Sequence, residues 1–321
     1  MKLGVFTVVL AGKPIEEAFS YLSGLGVQAV ELGAGGYPGT AHLNPKEYFD
    51  NPSKVQELKN LLTKYNLEIS GISCHGNPVH PDRSVADKFH NEFIDAMKLA
   101  QMLGVDTVIG FSGCPGDSDT SKNPNWVTCA WPNEYGEILE WQWNEVLIPY
   151  WKKMADTAKQ YSIKKIALEM HPGFCVYNPE TLMKLRAAAG DIIGANFDPS
   201  HLLWQGIDPC EAIKHMGSAI YHFHAKDTKI FQANCAINGV LDTKSYADLP
   251  QRSWLFRTVG YGADVGLWKE MVSVLKMVGY DGALSIEHED ALMSPTEGLE
   301  KAIAFLKDVI IFEQPEQAWW I

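Results

Sequence analysis

The sequence predicts a (β/α)₈ barrel, because eight short apolar segments alternate with eight amphipathic ones. The short segments are rich in β-branched and aromatic residues and apolar on both faces, as buried strands of a parallel sheet are. The predicted strands cover residues 3–10, 27–33, 68–75, 106–113, 163–171, 192–201, 219–227 and 282–290. The predicted helices cover residues 14–25, 53–65, 84–103, 142–161, 179–189, 208–216, 264–278 and 295–312.

Signals at the ends of the predicted helices support these positions. Asn178 and Asp208 each stand before a proline, which places a capping side chain ahead of a residue suited to the first helical turn. Ser294 precedes Glu297 by three residues, the spacing of a capping box. Three helices end at glycines that can adopt the left-handed backbone, namely Gly104, Gly190 and Gly279.

The alternative fold is a doubly wound open sheet. That fold calls for a glycine-rich phosphate loop between a strand and a helix, whereas residues 33–39 are glycine-rich but open no clear helix. Two long connections, 114–141 and 228–263, follow the fourth and seventh strands. Both leave the carboxyl ends of strands, so we expect both to cap the same barrel mouth. The predicted organisation is one domain over residues 1–313 with a tail at 314–321.

Composition restricts the class of protein. Of 321 residues, 46% are hydrophobic and 21% charged, which is typical of a soluble globular chain. The net charge of −12 offers no basic field for a phosphate backbone, so nucleic acid is not expected as a partner. No segment approaches the roughly 20 apolar residues of a membrane span, and the six cysteines are scattered, as in a reduced, cytoplasmic protein. Trp319 and Trp320 in the tail predict docking onto the barrel or a homo-oligomer contact.

The last four predicted strands end in acidic and imidazole side chains. These are Glu169, His171, Asp198, His201, His224, Glu287 and Glu289. Strand ends converge at one barrel face, where catalytic residues of this fold gather. Carboxylates brought together there would repel each other without a cation, so the pattern predicts a divalent metal. A carboxylate-rich set with one imidazole suits Mn²⁺, Mg²⁺ or Co²⁺ better than a structural zinc.

Each of these residues also has a purely structural interpretation. A glutamate at a strand end can be solvated or can pair with a lysine such as Lys165 or Lys226. His222 precedes His224 by two residues and therefore points to the same side of its strand. Because it lies lower in the barrel, we expect it to be a hydrogen-bonded core histidine.

The segments "ALEMHPG", "NFDPSHL", "HFHAKD" and "SIEHE" resemble the sugar isomerase/epimerase superfamily with the xylose-isomerase-like barrel, which also contains endonuclease IV and inosose dehydratase. The resemblance covers essentially the whole chain. It implies that one divalent metal, with Mn²⁺ favoured and Mg²⁺, Co²⁺ or Zn²⁺ as alternatives, is bound by Glu169, Asp198, His224 and Glu287. It also implies that His201 contacts substrate hydroxyls.

The expected activity is isomerisation or epimerisation of a small carbohydrate. A metal chelating the carbonyl and a neighbouring hydroxyl would stabilise an enediolate, while Glu169 and Glu287 would serve as the acid/base pair. Lys226 would add positive charge beside the enediolate. His171 is a further substrate-binding candidate, as is His75 at the end of the third strand; Asn77 and His80 follow it.

Other features extend or qualify this expectation. Trp131 is one of four tryptophans in the first long insert whose rings could stack on a sugar. Glu31, which ends the second strand, is a weaker site candidate. In ketose 3-epimerases of the superfamily a further Glu and an Arg follow the strand-5 and strand-7 ligands by about six residues, where this chain has Cys175 and Ile230.

Two other reaction classes remain open. The same metal and carboxylates could serve a lyase that dehydrates a keto-inositol or eliminates the aglycone of a 3-keto-glycoside. An endonuclease IV-like phosphodiesterase is a more remote alternative, because it needs a three-zinc cluster with additional ligands.

Overall fold

Eight of the apolar segments form the parallel strands of a closed barrel. The computed structural model describes residues 1–314 and 320. The barrel strands are β1 (Lys2–Phe6), β2 (Ala29–Gly33), β3 (Glu68–Ser73), β4 (Thr107–Phe111), β5 (Lys165–Glu169), β6 (Ile193–Phe197), β7 (Ile220–Ala225) and β10 (Ala283–Ile286). Because β1 pairs in parallel with both β2 and β10, the sheet has no open edge, and the predicted (β/α)₈ barrel is confirmed.

Helices connect the strands, and the longer ones pack apolar residues against the outside of the barrel. They are α1 (Ile15–Gly24), α2 (Pro52–Lys64), α3 (Arg83–Leu103), α4 (Asn133–Trp141), α5 (Ile148–Gln160), α6 (Pro179–Ala189), α7 (Pro199–Leu203), α8 (Pro209–Met216), α9 (Gln232–Asn238), α10 (Val265–Met277) and α11 (Pro295–Val309). The Asn178 side chain caps α6 by accepting from the backbone N–H of Thr181. Gly104 ends α3 in the left-handed conformation at φ +80°.

The structure differs from the sequence prediction mainly in two places. The helix expected from residue 142 starts earlier, because α4 begins at Asn133 and passes through a π-helical turn, Gln142–Leu147, into α5. The strand expected over 219–227 is interrupted at Lys226. Beyond it, β8 (Asp227–Ile230) leaves the barrel and pairs antiparallel with β9 (Trp254–Arg257) to form a separate hairpin over the mouth.

Both long inserts lie at the carboxyl ends of the barrel strands, the first after β4 and the second after β7. The second contains the hairpin and α9. Its residues Trp254 and Phe256 form a small buried cluster with Trp204, separate from the main core. Within residues 1–314 and 320, no helix combines the length and apolar character needed to cross a bilayer. The prediction for Trp319 concerns a residue outside the described part of the chain, while the Trp320 side chain is exposed.

Candidate metal centre

The carboxyl ends of four neighbouring strands bring two glutamates, one aspartate and one histidine together. Glu169 is the last residue of β5, Asp198 follows β6, His224 lies in β7 and Glu287 follows β10. One oxygen or nitrogen of each of these side chains lies within 4.8 Å of the corresponding atom of every other. The first three are almost completely buried. The arrangement predicted from the strand ends is therefore present in the fold.

A buried glutamate from across the barrel fixes the orientation of the His224 ring. His224 Nε2 donates to Glu31, with distances of 3.0 and 2.9 Å to the two carboxylate oxygens. The hydroxyls of Ser73 and Ser285 donate to the same carboxylate. Burial alone would raise the pKa of Glu31, but His224 and His222 lower it to about 2. An ionised carboxylate only accepts, so Nε2 carries a proton and Nδ1 is the atom that faces the centre.

The atoms that face each other at the centre are close but poorly aligned for hydrogen bonds. His224 Nδ1 lies 3.2 Å from Glu169 Oε2 and 3.3 Å from Glu287 Oε2. Nevertheless, neither His224 Nδ1 nor Asp198 Oδ2 has a hydrogen-bond partner among the residues that the structure describes. Buried polar atoms are normally satisfied. Around a bound cation, ligand atoms lie close together without hydrogen bonds between them, because their lone pairs point at the ion. This set of donor atoms therefore fits a divalent metal.

Neighbouring side chains hold Glu169 in place. His201 Nε2 lies 3.0 Å from Glu169 Oε1, while His75 Nε2 and Asn196 Nδ2 each lie 3.1 Å from Oε2. Burial would raise the pKa of this carboxyl, but the adjacent side chains of His201, His224 and His75 hold it well below its usual range. Glu169 is therefore an ionised group in a fixed orientation.

Among the described residues, Lys226 is the only lysine or arginine whose charged group contacts these ligands. Its Nζ lies 2.6 Å from Glu287 Oε2, 3.1 Å from Asp198 Oδ2 and 3.0 Å from Glu289 Oε2. The side chain is only 2% exposed. Although burial alone would lower the pKa of Lys226, Asp198 and Glu287 raise it well above its usual value. A permanently charged ammonium thus partly neutralises the acidic cluster.

That neutralisation is incomplete. Burial raises the pKa of Asp198 to about 7, and the charges of Glu169 and Glu287 act in the same direction against the opposing effect of Lys226. Burial would also raise the pKa of Glu287, yet Lys226 and His224 lower it. With these charges alone, the Asp198 carboxyl is only partly ionised near neutral pH. A divalent cation would supply the missing positive charge.

The proposed substrate-binding histidines lie around this centre. His75, His171 and Glu287 line a cavity of about 380 Å³, together with Phe111 and Phe174. His201 and His171 line a second cavity beside it. Lys226 contacts the ligands Asp198 and Glu287 and does not line either of these two cavities. Asn77 and His80 have structural contacts, because Asn77 bonds the backbone of Cys114 and His80 accepts from Asp82.

Trp131 does not occupy the position expected from the sequence. Its side chain is 74% exposed, and it lines neither of the two cavities described at the mouth. Trp126 from the same insert lines the second cavity and packs edge-on against Tyr177. A long loop has no regular alternation of buried and exposed positions. The sequence therefore could not identify which of its tryptophans points into the mouth.

Sequence reasoning underrated some residues and missed others. Glu31 is a buried hydrogen-bond partner of His224. The signal for this role in the sequence was a single glutamate inside the apolar segment "AVELG". Asn196 links Glu169 to His222, whose Nδ1 lies 2.9 Å from Asn196 Oδ1 and whose Nε2 lies 3.1 Å from the Ser70 hydroxyl. His222 therefore has the hydrogen-bonded position expected of a core histidine.

Comparisons with known proteins agree with the fold. The model of a family described as a xylose isomerase-like TIM barrel matches residues 19–309. An uncharacterised protein of Bacillus subtilis (strain 168), YfiH, is 42% identical over 313 residues, which are 97% of this chain and 99% of the relative.

Two solved structures share the barrel at low sequence identity. A D-tagatose 3-epimerase-like protein superposes with a TM-score of 0.64 at 22% identity, covering 96% of this chain and 98% of the other. The IOLI protein with a bound zinc atom gives a TM-score of 0.64 at 19% identity and 96% coverage of each chain. These likenesses establish the fold.

Proposed function

The chain belongs to the xylose isomerase-like TIM barrel family, and from this premise we propose that it is a divalent-metal-dependent sugar isomerase or epimerase. The observation that carries the proposal is the set of four ligand atoms within 4.8 Å, two of which lack hydrogen-bond partners. Glu169, Asp198, His224 and Glu287 would hold the ion, with Mn²⁺ favoured by the carboxylate-rich ligands. The bound ion would supply positive charge that makes a proton beside a carbonyl acidic.

The chain's own residues would carry the proton. Glu287 engages Lys226 through Oε2 and lines the cavity, so it can approach a bound sugar from the β10 side. Glu169 approaches from β5, on the far side of His224. One carboxylate would remove the proton from carbon, and the other, after taking up a proton from solvent, would deliver it to a neighbouring carbon or to the opposite face. His201, His75 and His171 would orient hydroxyl groups, and Lys226 would offset developing negative charge.

A lyase is the second candidate, and the cavity beside His171 and His201 favours it. This cavity of about 350 Å³ leaves room for a substituent on the reacting sugar. In a lyase, a carboxylate would remove the proton next to a ketone, the electron pair would form a carbon–carbon double bond, and the β carbon–oxygen bond would break. The leaving oxygen would take a proton from the other carboxyl, so the products would be an enone and an alcohol or water.

A solvent-deuterium screen tests the proposal and separates the two reactions. Ketoses, aldoses, keto-inositols and 3-keto-glycosides are incubated in D₂O with the Mn²⁺-loaded protein and followed by NMR. Deuterium incorporation at carbon without elimination identifies an isomerase or epimerase, whereas release of water or an aglycone identifies a lyase. Chelation should stop the reaction, and added Mn²⁺ or Co²⁺ should restore it.

Two amide variants provide the catalytic test. Glu169→Gln and Glu287→Gln should each lower turnover by at least a thousandfold, since they remove both a ligand charge and a proton carrier. Glu68→Gln is the matched control, because Glu68 pairs with Lys2 on the exposed part of β3. Wild-type rates in both site variants, or full turnover by metal-free protein, would contradict the assignment.

A further inference from the structure

A cavity next to the proposed metal centre has no role in proton transfer. It has a volume of about 350 Å³ and lies between the two long inserts. The first insert contributes Trp126 and Thr128 to its lining. The second contributes Tyr246 and Trp254, and Trp204 comes from the segment after α7. Both inserts therefore help to build one concave, mainly aromatic surface of the size of a small-molecule site.

The aromatic wall of this cavity is held in place by its own packing. The rings of Trp204 and Trp254 stack with centroids 4.6 Å apart and an interplanar angle of 5°. The Arg252 guanidinium lies 4.2 Å from the Tyr246 ring centroid and 4.8 Å from that of Trp254. Arg252 is 1% exposed and donates to the backbone oxygens of Trp254 and Lys244. A preformed wall of this kind avoids the entropic cost of ordering aromatic side chains upon binding.

The cavity adjoins the metal centre at two histidines. His201 lines it while its Nε2 lies 3.0 Å from Glu169. The His201 ring also meets Phe256, another lining residue, edge-on at 5.1 Å. His171 borders both this cavity and the one that contains Glu287. The two cavities therefore meet at His171, and the aromatic cavity reaches the metal centre at His201.

The lining chemistry indicates an uncharged ring. It offers flat aromatic faces, and the exposed side chains of Thr128 and Thr243 provide hydroxyls at the rim. Asp242 is the charged residue among the described lining residues, and its carboxylate is already paired with Lys244 Nζ at 2.8 Å. The lining therefore keeps no unpaired cation for a phosphate. Sugar rings and aromatic aglycones, by contrast, have apolar faces suited to indole and phenol rings.

We propose that the substrate is a neutral two-ring glycoside, with its reacting sugar at the metal centre and its second ring in the aromatic cavity. This inference rests on the proposed function in one respect, namely that the metal centre receives a sugar. The proposal gives the two inserts a role. Ordering them has an entropic cost, and proton transfer at the metal centre does not use them.

Equilibrium binding tests the second subsite without relying on turnover. Cellobiose, maltose and phenyl β-D-glucoside are compared with glucose and methyl β-D-glucoside by calorimetry, using both Mn²⁺-loaded and chelated protein. At least one two-ring probe should bind ten times or more tightly than its one-ring counterpart. Thr243→Trp, which places a large side chain at the exposed rim, should abolish that advantage. Ile237→Trp is the matched control, because Ile237 lies in the same insert, is 82% exposed and is not part of the lining.

The possible outcomes separate this inference from the proposed function. Equal binding of one- and two-ring probes, absence of binding by all probes, or an advantage that survives Thr243→Trp would overturn the two-ring proposal. Failure of the proposed function would instead appear as absence of metal-dependent solvent exchange in every carbonyl sugar tested. A two-ring advantage that persists in that case would support the subsite and refute the reaction.

Discussion

Glu31 determines which nitrogen of His224 faces the metal centre. Because it accepts from Nε2, Nδ1 is left to point toward Glu169 and Glu287. Glu31→Gln keeps the shape but removes the charge that orients and polarises the imidazole. Loss of such a supporting contact typically weakens metal affinity by about 10–100-fold, and we expect this range for Mn²⁺ measured by calorimetry.

The control for this experiment is again Glu68→Gln, a carboxylate-to-amide change that should leave the Mn²⁺ affinity unchanged. The thermal midpoint of both chelated variants should be recorded as well, because a folding defect would otherwise imitate weak binding. Wild-type Mn²⁺ affinity in Glu31→Gln would show that His224 is oriented by other contacts.

Asp227 organises the segment that leads from the hairpin back to the barrel. Its carboxylate accepts from the backbone N–H groups of Thr228, Gly260, Gly262 and Ala263, and from the Trp268 indole. In Asp227→Asn, an NH₂ group would face these donors. Leaving buried donors unpaired costs about 1–3 kcal/mol each, so we expect the free energy of unfolding to fall by about 2–4 kcal/mol.

Urea unfolding of Asp227→Asn and of the control Asp264→Asn would measure this effect. Asp264 caps α10 by accepting from Leu267 N–H, and asparagine caps nearly as well as aspartate, so the control should change stability by less than about 0.5 kcal/mol. A loss in Asp227→Asn as small as that in the control would show that the Asp227 carboxylate does not hold this segment in place.

The sequence revealed the ligands but not their supporting residues, for a physical reason. Glu169, Asp198 and Glu287 follow apolar strands, and parallel strands bring their carboxyl ends to one face. The partners of Glu31 and Asp227, by contrast, lie on other strands and loops. Their identities depend on how the chain closes in three dimensions, and local periodicity contains no information about that closure.

At the scale of elements, the antiparallel hairpin was not predicted from the sequence. β8 continues directly from β7 after one residue, and its partner β9 begins 24 residues beyond its end, without a short turn that would indicate a hairpin. The helix α4 was also missed, because it lies in an insert assigned wholly to a loop. The elements of the barrel itself were predictable because each has its own hydrophobic period.

The hairpin depends on the stacked pair of Trp204 and Trp254. Removing a buried aromatic side chain costs about 3–5 kcal/mol in a packed core. Because this cluster is separate from the main core, Trp254→Ala should loosen the hairpin and leave the barrel folded. Hydrogen exchange should then accelerate in peptides from 227–257 while the peptides of β4 to β6 keep their protection.

Trp131→Ala is the matched control for this change. Its indole is 74% exposed, so truncation should alter stability by less than about 0.5 kcal/mol and leave exchange in the hairpin unchanged. Uniform loss of protection throughout the barrel in Trp254→Ala would show that the hairpin and the barrel unfold as one unit.

At the scale of the whole molecule, metal binding should reverse the pH dependence of stability. In chelated protein the pKa of Asp198 is about 7, above the value of about 3.9 expected for an unfolded chain. The pKa of His224 is likewise raised, since Glu31 and Glu287 outweigh its burial. Raised folded-state values mean that protonation stabilises the fold, so this contribution is present at low pH and is lost as the pH rises through about 7.

A divalent ion at the same atoms must displace these protons, so it binds more tightly as the pH rises. We therefore expect the difference in thermal midpoint between Mn²⁺-loaded and chelated protein to widen from pH 6 to pH 8. An ion at a hundred times its dissociation constant stabilises by about 2.7 kcal/mol, which corresponds to an increase of roughly 4 °C for a chain of this length. Asp198→Asn should reduce the pH dependence of this difference and leave the part that is due to His224. A difference that narrows toward pH 8 would mean that the ion binds away from Asp198 and His224.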